Sequence, residues 1–338
     1  MEEQNLYEYV KKKICRMIYE DIYRDGDLIP PERKLSEELG VSRVTVRKAL
    51  KLLEEEKIIE RIQGSGTRIA LQYGARKGKM DIITLVAPAQ NAFFSQFMDA
   101  FQTEAEEMDS LVLFKQKTKN QSLEKCLFQI YEKDLRNVVL WLEDMELSQE
   151  ALRKLRGLGM NLVLFDTTCQ SMYADAVCLD NEAAIRCLYQ KLQQNGCKQI
   201  GFVGWDEKQV RSVCAREQEY LKLAKEPVVR RISWDYRKDP EHMTAAVMEE
   251  NLQLLSECDG VIYSVAELGI PFERKAKEMG LFHQAAAIDV LPGAEELGIV
   301  TLEQDFQKMA AKIFDCLKCQ NQEESQWTAN VYKVKGKE

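Results

Sequence analysis

Histidine is almost missing from this chain, with two in 338 residues, His242 and His283. A Ser-His nucleophile pair or a histidine-rich metal centre has little to build on. No Gly-x-Gly-x-x-Gly follows a strand pattern and no P-loop lysine motif occurs, so the usual nucleotide cradles are missing too. No apolar run approaches the roughly 20 residues of a membrane-spanning helix. The opening MEEQNLYEYVKKK is charged throughout and lacks the apolar core of a signal peptide. These absences predict a cytoplasmic protein that is not an enzyme, with no cofactor, no metal and no membrane partner. Ten cysteines are then expected as reduced thiols, many of them small apolar fillers. Cys316 and Cys319 form one C-x-x-C, but in a helical pattern with no second pair or histidine nearby. Buried or incidental thiols are the expectation there, and a redox or metal switch the alternative.

What is present is enough chain for two or three domains. Hydrophobic residues make up 45% and charged residues 30%, the balance of a globular protein. The net charge of −8 is unevenly spread: residues 1–79 carry 17 Lys+Arg against 14 Asp+Glu, and the remainder 30 against 41. A slightly basic head on an acidic body suits a DNA-binding head, because phosphate attraction supplies most non-specific affinity.

Leu6, Val10, Ile14, Met17, Ile18 and Ile22 recur at steps of three and four, predicting an amphipathic helix over about 5–24. Asp25-Gly26-Asp27 is read as its stop. Pro30 and Pro31 keep the next segment out of a helix. Helix formers resume at Glu32, and Gly40 permits a sharp turn after Leu39. Ser42 can cap a further helix whose inner face is Val46, Ala49, Leu50 and Leu53. Its outer face carries Arg43 and Arg47, with Thr45 and Lys48 nearby. Two short helices around a glycine turn, the second with a basic face, form a helix-turn-helix. Ile58–Ile62, the turn Gln63-Gly64-Ser65-Gly66 and Thr67-Arg68-Ile69 read as a hairpin placed as a wing.

The ordered set IPPERKLSEELGVSRVTVRKALKLLEEEKIIERIQGSGTRIA resembles the winged-helix head of GntR-type bacterial transcription regulators. The family usually has Ser at Pro31 and Gly at Lys57. The resemblance implies DNA contacts at Arg33, Ser42, Arg43, Thr45 and Arg47, and at the wing tip through Gln63, Gly64 and Gly66. The chemistry agrees, since arginine can bond guanine O6 and N7 bidentately in the major groove. Hydroxyls, backbone amides and flexible glycines suit close approach to phosphate. The organisation expected is a DNA-binding domain over 1–70, a flexible linker over 71–80 and an effector-binding and dimerisation domain over 81–338. Arg76, Lys77 and Lys79 in the linker are candidates to touch phosphate.

From Asp81 strand and helix patterns alternate. Apolar runs fall at 82–87, 111–114, 138–142, 161–165, 200–203, 228–232, 260–263 and 285–288. Amphipathic stretches such as Phe94–Met108 and Phe306–Leu317 lie between them. The alternation predicts parallel sheets covered by helices, and the length predicts two α/β lobes with a cleft. ITLVAP followed by NAFF, Phe165-Asp166, Asp180-Asn181, IGFVG, Arg216 with Tyr220, and Ala287-Ile288-Asp289 resemble the LacI-type effector domain, which shares the fold of periplasmic sugar-binding proteins. The fold class expected is therefore an N-terminal winged helix-turn-helix (α+β) joined to a two-lobed, periplasmic-binding-protein-like α/β domain. A GntR head on a LacI-type body is similar to the arabinose-repressor subgroup.

Ligands in open α/β sheets sit beyond the carboxyl ends of the strands. Residues at those ends are Asn91, Phe94, Trp141, Asp166, Trp205, Ser264 and Asp289, with Arg216 in a following helix. The aromatics can stack on a sugar face, and the charged groups can bond hydroxyls. Each aromatic could equally be lobe core or dimer interface. Where the family places an Asn-Asp pair, this chain has Val265-Ala266. The expectation is a repressor that binds a palindromic double-stranded operator as a homodimer and answers to a small-molecule effector, a sugar or sugar derivative. The alternative is a body that has lost its small-molecule site and serves as a dimerisation or protein-interaction module.

Overall fold

The computed structural model describes residues 3–87, 92–117, 121–142, 147–206, 210–233, 245–322 and 327–337. The head begins with α1 (Glu3–Tyr19), β1 (Leu28–Ile29), α2 (Glu32–Leu39) and α3 (Arg43–Glu55). It closes with the hairpin of β2 (Ile59–Ile62) and β3 (Gly66–Ile69). α1 ends at Tyr19, short of the residue 24 that its periodicity predicts. Asp21 takes a left-handed φ of 59° and turns the chain out, leaving Ile22 exposed. Aspartate is one of the few residues that visits this region readily. The hairpin pairs Ile59 with Ile69 and Ile62 with Gly66, and β1 joins it antiparallel on the far side of β3. Lys57 has a φ of 55°, a conformation glycine would adopt without strain.

The body is two parallel sheets. The first lobe runs β5 (Leu111–Gln116), β4 (Ile82–Ala87), β6 (Asn137–Trp141), β7 (Asn161–Phe165), β8 (Asp175–Leu179) and β14 (Val331–Val334) in spatial order. Its helices are α4 (Ala92–Glu107), α5 (Leu123–Glu132), α6 (Gln149–Gly157) and α12 (Phe306–Gln320). The second runs β10 (Val228–Ile232), β9 (Ile200–Trp205), β11 (Gly260–Tyr263), β12 (Gln284–Ile288) and β13 (Val300–Leu302). Its helices are α7 (Asn181–Gln194), α8 (Arg211–Leu223), α9 (Ala245–Leu254), α10 (Ala266–Glu278) and α11 (Ala294–Leu297). In both sheets the first strand lies between the second and the third. The strand order reverses there, opening a crevice at the carboxyl ends.

Three chain segments cross between the lobes. They follow β8, β13 and β14, and they are bonded to one another. The Asp180 N–H donates to the Val334 carbonyl at 2.8 Å, and Glu303 and Lys337 exchange both backbone bonds at 3.0 and 2.7 Å. Gln96 of α4 reaches the Val290 carbonyl at 3.0 Å, so the lobes also touch across the crevice.

The head is fixed to the first lobe. Tyr19 stacks on Phe128 with ring centroids 4.4 Å apart, and Lys154 pairs with Asp21 at 2.5 Å. Arg16 pairs with Glu132, and the buried Tyr131 hydroxyl donates to Cys15 Sγ at 3.2 Å. The head core and the outer apolar layer of this lobe form one continuous cluster, from Ile14 and Leu53 to Tyr131 and Leu155.

Residues 71–80 are not the flexible tether their composition predicts. The Leu71 amide donates to Asp25 Oδ1 at 2.9 Å, and the Arg76 amide to the Gln320 carbonyl at 3.0 Å. The Arg76 guanidinium donates to the carbonyls of Gln72, Gly157 and Glu56 at 2.6, 2.8 and 3.3 Å. Arg156 clasps the same strap through the Tyr73 and Gly74 carbonyls at 3.0 and 2.6 Å. The strap is ordered because buried guanidinium groups supply the donors its backbone carbonyls need. Lys77 and Lys79 are exposed, and they alone of the three basic residues remain available to solvent.

Arg156→Met leaves those two carbonyls without their guanidinium donors, at a cost of about 3 kcal/mol or more. Limited trypsin digestion is then expected to cut after Lys77 and Lys79 at least several-fold faster than in the parent. Equal rates would show that Arg156 does not hold the strap.

Candidate DNA interface and effector cleft

The outer face of the head is built by α3 and the wing. Ser42 is the N-cap of α3 and accepts the Thr45 amide at 3.1 Å. Thr45 is buried, with its hydroxyl 2.8 Å from Ser42 Oγ. It therefore secures the cap more than it presents itself outward. Arg43 and Arg47 are exposed on one face. Arg47 makes a forked pair with Glu32 of α2, with Nε and Nη2 at 3.1 and 3.0 Å from Oε2. Arg33 pairs with Glu37 at 3.1 Å one turn on. Val44, which periodicity did not single out, is 58% exposed beside the two arginines. The wing tip turns on Gly64 and Gly66, at φ 77° and 107°, with Gln63 exposed. The strands behind it are braced by Arg68–Glu60 and by Arg61–Glu54 at 3.2 Å.

The second site is the crevice between the lobes. Asp166 follows β7 with a left-handed φ of 53°, and Asp289 follows β12 at 79°. Each turn bends the chain at the carboxyl end of its strand. Arg216 comes from α8, is 3% exposed, and donates to Asn181 Oδ1 at 2.6 Å and to the Ser264 carbonyl at 2.8 Å. Its charge bears on both aspartates. Ser212 Oγ, also from α8, lies 3.5 Å from Asp166 Oδ2 and links the lobes. Gln304 donates to Asp289 Oδ1 at 2.7 Å. Four buried polar atoms here have no hydrogen-bond partner: Trp141 Nε1, Asp166 Oδ1, Ser264 Oγ and Gln304 Oε1. Trp141 Nε1 still favours the Asp166 carboxylate by proximity, without full hydrogen-bond geometry. Unsatisfied groups are costly in a core and point to a site meant to be filled.

The expected residues are not all placed alike. Trp141, Asp166, Arg216, Ser264 and Asp289 share the crevice. Phe94 is instead buried toward β5, 5.0 Å from Phe114, although its ring also stacks on Trp141. Its neighbour Phe93 takes the position expected of it, facing Trp141 at 5.1 Å, Phe165 at 6.0 Å and Phe306 at 5.2 Å. Helical rotation separates the two adjacent rings. Trp205 closes β9 and packs partly on the second-lobe core. Asn91 lies outside the described residues. Reading from sequence missed Phe93, Phe306, Gln304, Ser212 and Glu267. Gln304 and Phe306 could have been found from the strand at 300–302, had its short run been recognised.

Val265 is the N-cap of α10 and offers no side-chain bond, while Ala266 is fully buried. Cys316 is buried in α12 and Cys319 exposed. Burial pushes the Cys316 thiol well above its usual range, which keeps it protonated and unreactive. No group of three or more potential metal ligands occurs among the described residues.

Residues 6–69 match the family profile "Bacterial regulatory proteins, gntR family". The head is a GntR-family winged helix-turn-helix. Within it the chain is 45% identical over 69 residues to the mannosyl-D-glycerate transport/metabolism system repressor MngR of Escherichia coli, covering 20% of this chain and 29% of that protein. It is 41% identical over 64 residues to the histidine utilization repressor of Klebsiella aerogenes, covering 19% and 27%. The chain thus spans under a third of the length of these relatives. The body has the LacI and periplasmic-binding-protein fold. A LacI-type regulator from Alkaliphilus metalliredigens complexed with D-xylulofuranose superposes with a TM-score of 0.61 at 17% identity, over 76% of this chain and 96% of that one. The trehalose repressor of Escherichia coli does so at 0.61 and 15%, over 77% and 99%.

Desolvation, with the Asp289 charge second, pushes the Glu267 carboxyl up to about 7. Desolvation likewise lifts Asp166 to about 6, with Arg216 opposing. Such a group holds its proton longer in the fold than in the unfolded chain. Its contribution to stability is therefore fully present at low pH and declines as pH rises from about 4 to 7. Glu267→Gln mimics the protonated acid at every pH. The variant is expected to melt close to the parent near pH 5 and to be more stable by roughly 1–3 kcal/mol near pH 8. A pH-independent difference between the two melting curves would remove this assignment.

Proposed function

We propose that this protein is a ligand-responsive transcription regulator, a cytoplasmic repressor that binds a palindromic operator as a homodimer. The observation that carries the reading is a GntR-type helix-turn-helix, its basic face open, fixed to one lobe of a two-lobed cleft that holds unpaired buried polar groups. Arg43 and Arg47 enter the major groove and bond guanine edges, while the exposed Val44 suits a thymine methyl group. Arg33, the Ser42 cap with Thr45 behind it, and the wing tip Gln63-Gly64-Gly66 take phosphates and the flanking groove. Glu32 holds the Arg47 fork in place before DNA arrives and gives it up, or shares it, on binding.

Two copies are needed because two-fold DNA symmetry calls for two-fold protein symmetry. The exposed Leu111 and Leu113 on edge strand β5 support self-association through the first lobe. A small-molecule effector occupies the crevice, held by Asp166, Arg216, Ser264 and Asp289, with Phe93 and Trp141 against its apolar face. A solved structure that shares the body's fold is complexed with D-xylulofuranose, which favours a sugar derivative here. The competing idea, a body that has lost its ligand, rests on Val265-Ala266. It leaves the four unpaired polar atoms unexplained. Since the strap fixes the head to the first lobe, a change in lobe closure moves the heads as a rigid consequence.

Arg47→Ala is expected to weaken binding to a selected operator by roughly 1–3 kcal/mol, while non-specific binding falls far less. Titration of the matched operator and of scrambled DNA at one salt concentration measures both. An unchanged specific affinity would contradict the groove assignment.

A further inference from the structure

The crevice is unbalanced in charge. Asp289 lies within electrostatic range of Asp166 on one side and of Glu267 on the other, and Arg216 is the cation among the described residues that bears on the two aspartates. Arg216 is already committed to Asn181 and the Ser264 carbonyl. The charge felt by Glu267 is that of Asp289, which repels it. Two of the four unpaired atoms point the same way, while Trp141 Nε1 is a donor and Ser264 Oγ can serve as either. Asp166 Oδ1 and Gln304 Oε1 are buried acceptors, so whatever fills the crevice must bring donors. Gln304 is 1% exposed and Ser264 0%, so bulk water does not satisfy them. Phe93, with Trp141, Phe165 and Phe306 around it, supplies aromatic faces that attract a cation. At Val265-Ala266 there is no side-chain amide to donate to a neutral ligand's oxygens.

We infer that the effector carries a positive charge: it is an amine-bearing small molecule, such as an amino sugar, whose ammonium lies among Asp166, Glu267 and Asp289. A neutral polyol would donate hydrogen bonds but leave Arg216 as the one counter-charge to these carboxylates among the described residues. A phosphorylated or acidic sugar would add a further like charge. The inference rests on the reading of the crevice as the effector site and narrows the chemistry of what enters it.

The test uses matched pairs on the full chain near neutral pH: D-glucosamine with D-glucose, D-galactosamine with D-galactose, and D-mannosamine with D-mannose, each up to tens of millimolar. Thermal shift and calorimetry read affinity. The amine of at least one pair is expected to bind roughly tenfold or more tightly than its neutral partner. Glu267→Gln, which keeps the side-chain volume, is expected to reduce that preference several-fold. Equal affinity within every pair, or a preference for the neutral member, overturns the inference. If Asp289→Ala then abolishes that neutral binding, the crevice remains the effector site and the charge assignment alone fails. Absence of binding by every member overturns both.

Discussion

The Arg156 guanidinium is 1% exposed, and its contacts come from several distant parts of the chain. It donates to the carbonyls of Tyr73 and Gly74 in the strap, to the Met160 carbonyl and Asn161 in the first lobe, and to Gln320 at the end of α12. Gln320 in turn donates to Asp175 at 2.7 Å and pairs with Leu162 through both its amide atoms. Trp327 lies over Arg156, with its ring centroid 4.4 Å from the guanidinium carbon, and also donates to Asp175. A buried cation is tolerated only when its donors are met, and here acceptors from the strap, sheet and last long helix meet them. Remove the cation and the strap carbonyls of Tyr73 and Gly74 lose their donors, and the strap loses its link to Gln320 through the guanidinium.

That constraint gives the molecule two unlike regions. The floor of the first lobe, where head, strap and sheet meet, is densely hydrogen-bonded and continuous with the head core. The crevice at the opposite, carboxyl end of the strands is the reverse, with unpaired acceptors, like charges in range of each other and carboxyl groups pushed up by burial. Stability is concentrated where the head is carried and withheld where a ligand would supply what is missing. In the function proposed, a ligand that completes the crevice would act on lobe closure, and the bonded floor would transmit that movement without a flexible joint absorbing it.

Much of this was legible in the sequence. The glycine turn at Gly40, the Ser42 cap and the wing at Gln63–Gly66 are local devices, and local devices can be read from adjacent residues. The long apolar runs announced most of the body strands. The short strands 28–29, 300–302 and 331–334 were not legible, because each depends on a distant partner more than on its own pattern. Residues 175–179, with an aspartate at the start, likewise read as strand only once Gln320 and Trp327 are seen to satisfy it. The strap misled because Gly74, Gly78 and three basic residues read as a solvated tether. Nothing local reveals that Arg156, far along the chain, will bind its carbonyls. The crevice was half legible: Asp166, Arg216 and Asp289 stand on family motif positions. Phe93 rather than Phe94, and the charge of Glu267, emerge only from how helices α4 and α10 are turned.

Hydrogen exchange in the strap of the unmodified protein tests the rigid attachment of head to lobe most directly. The Leu71 amide is held by Asp25, and the Arg76 and Gly78 amides by carbonyls of Gln320 and Asn321 at the end of α12. In the bonded arrangement these three amides exchange orders of magnitude more slowly than free peptide, together with the core strands of the first lobe. Exchange at free-peptide rates would mean that the head hangs on a loose tether and that lobe closure cannot move it as described.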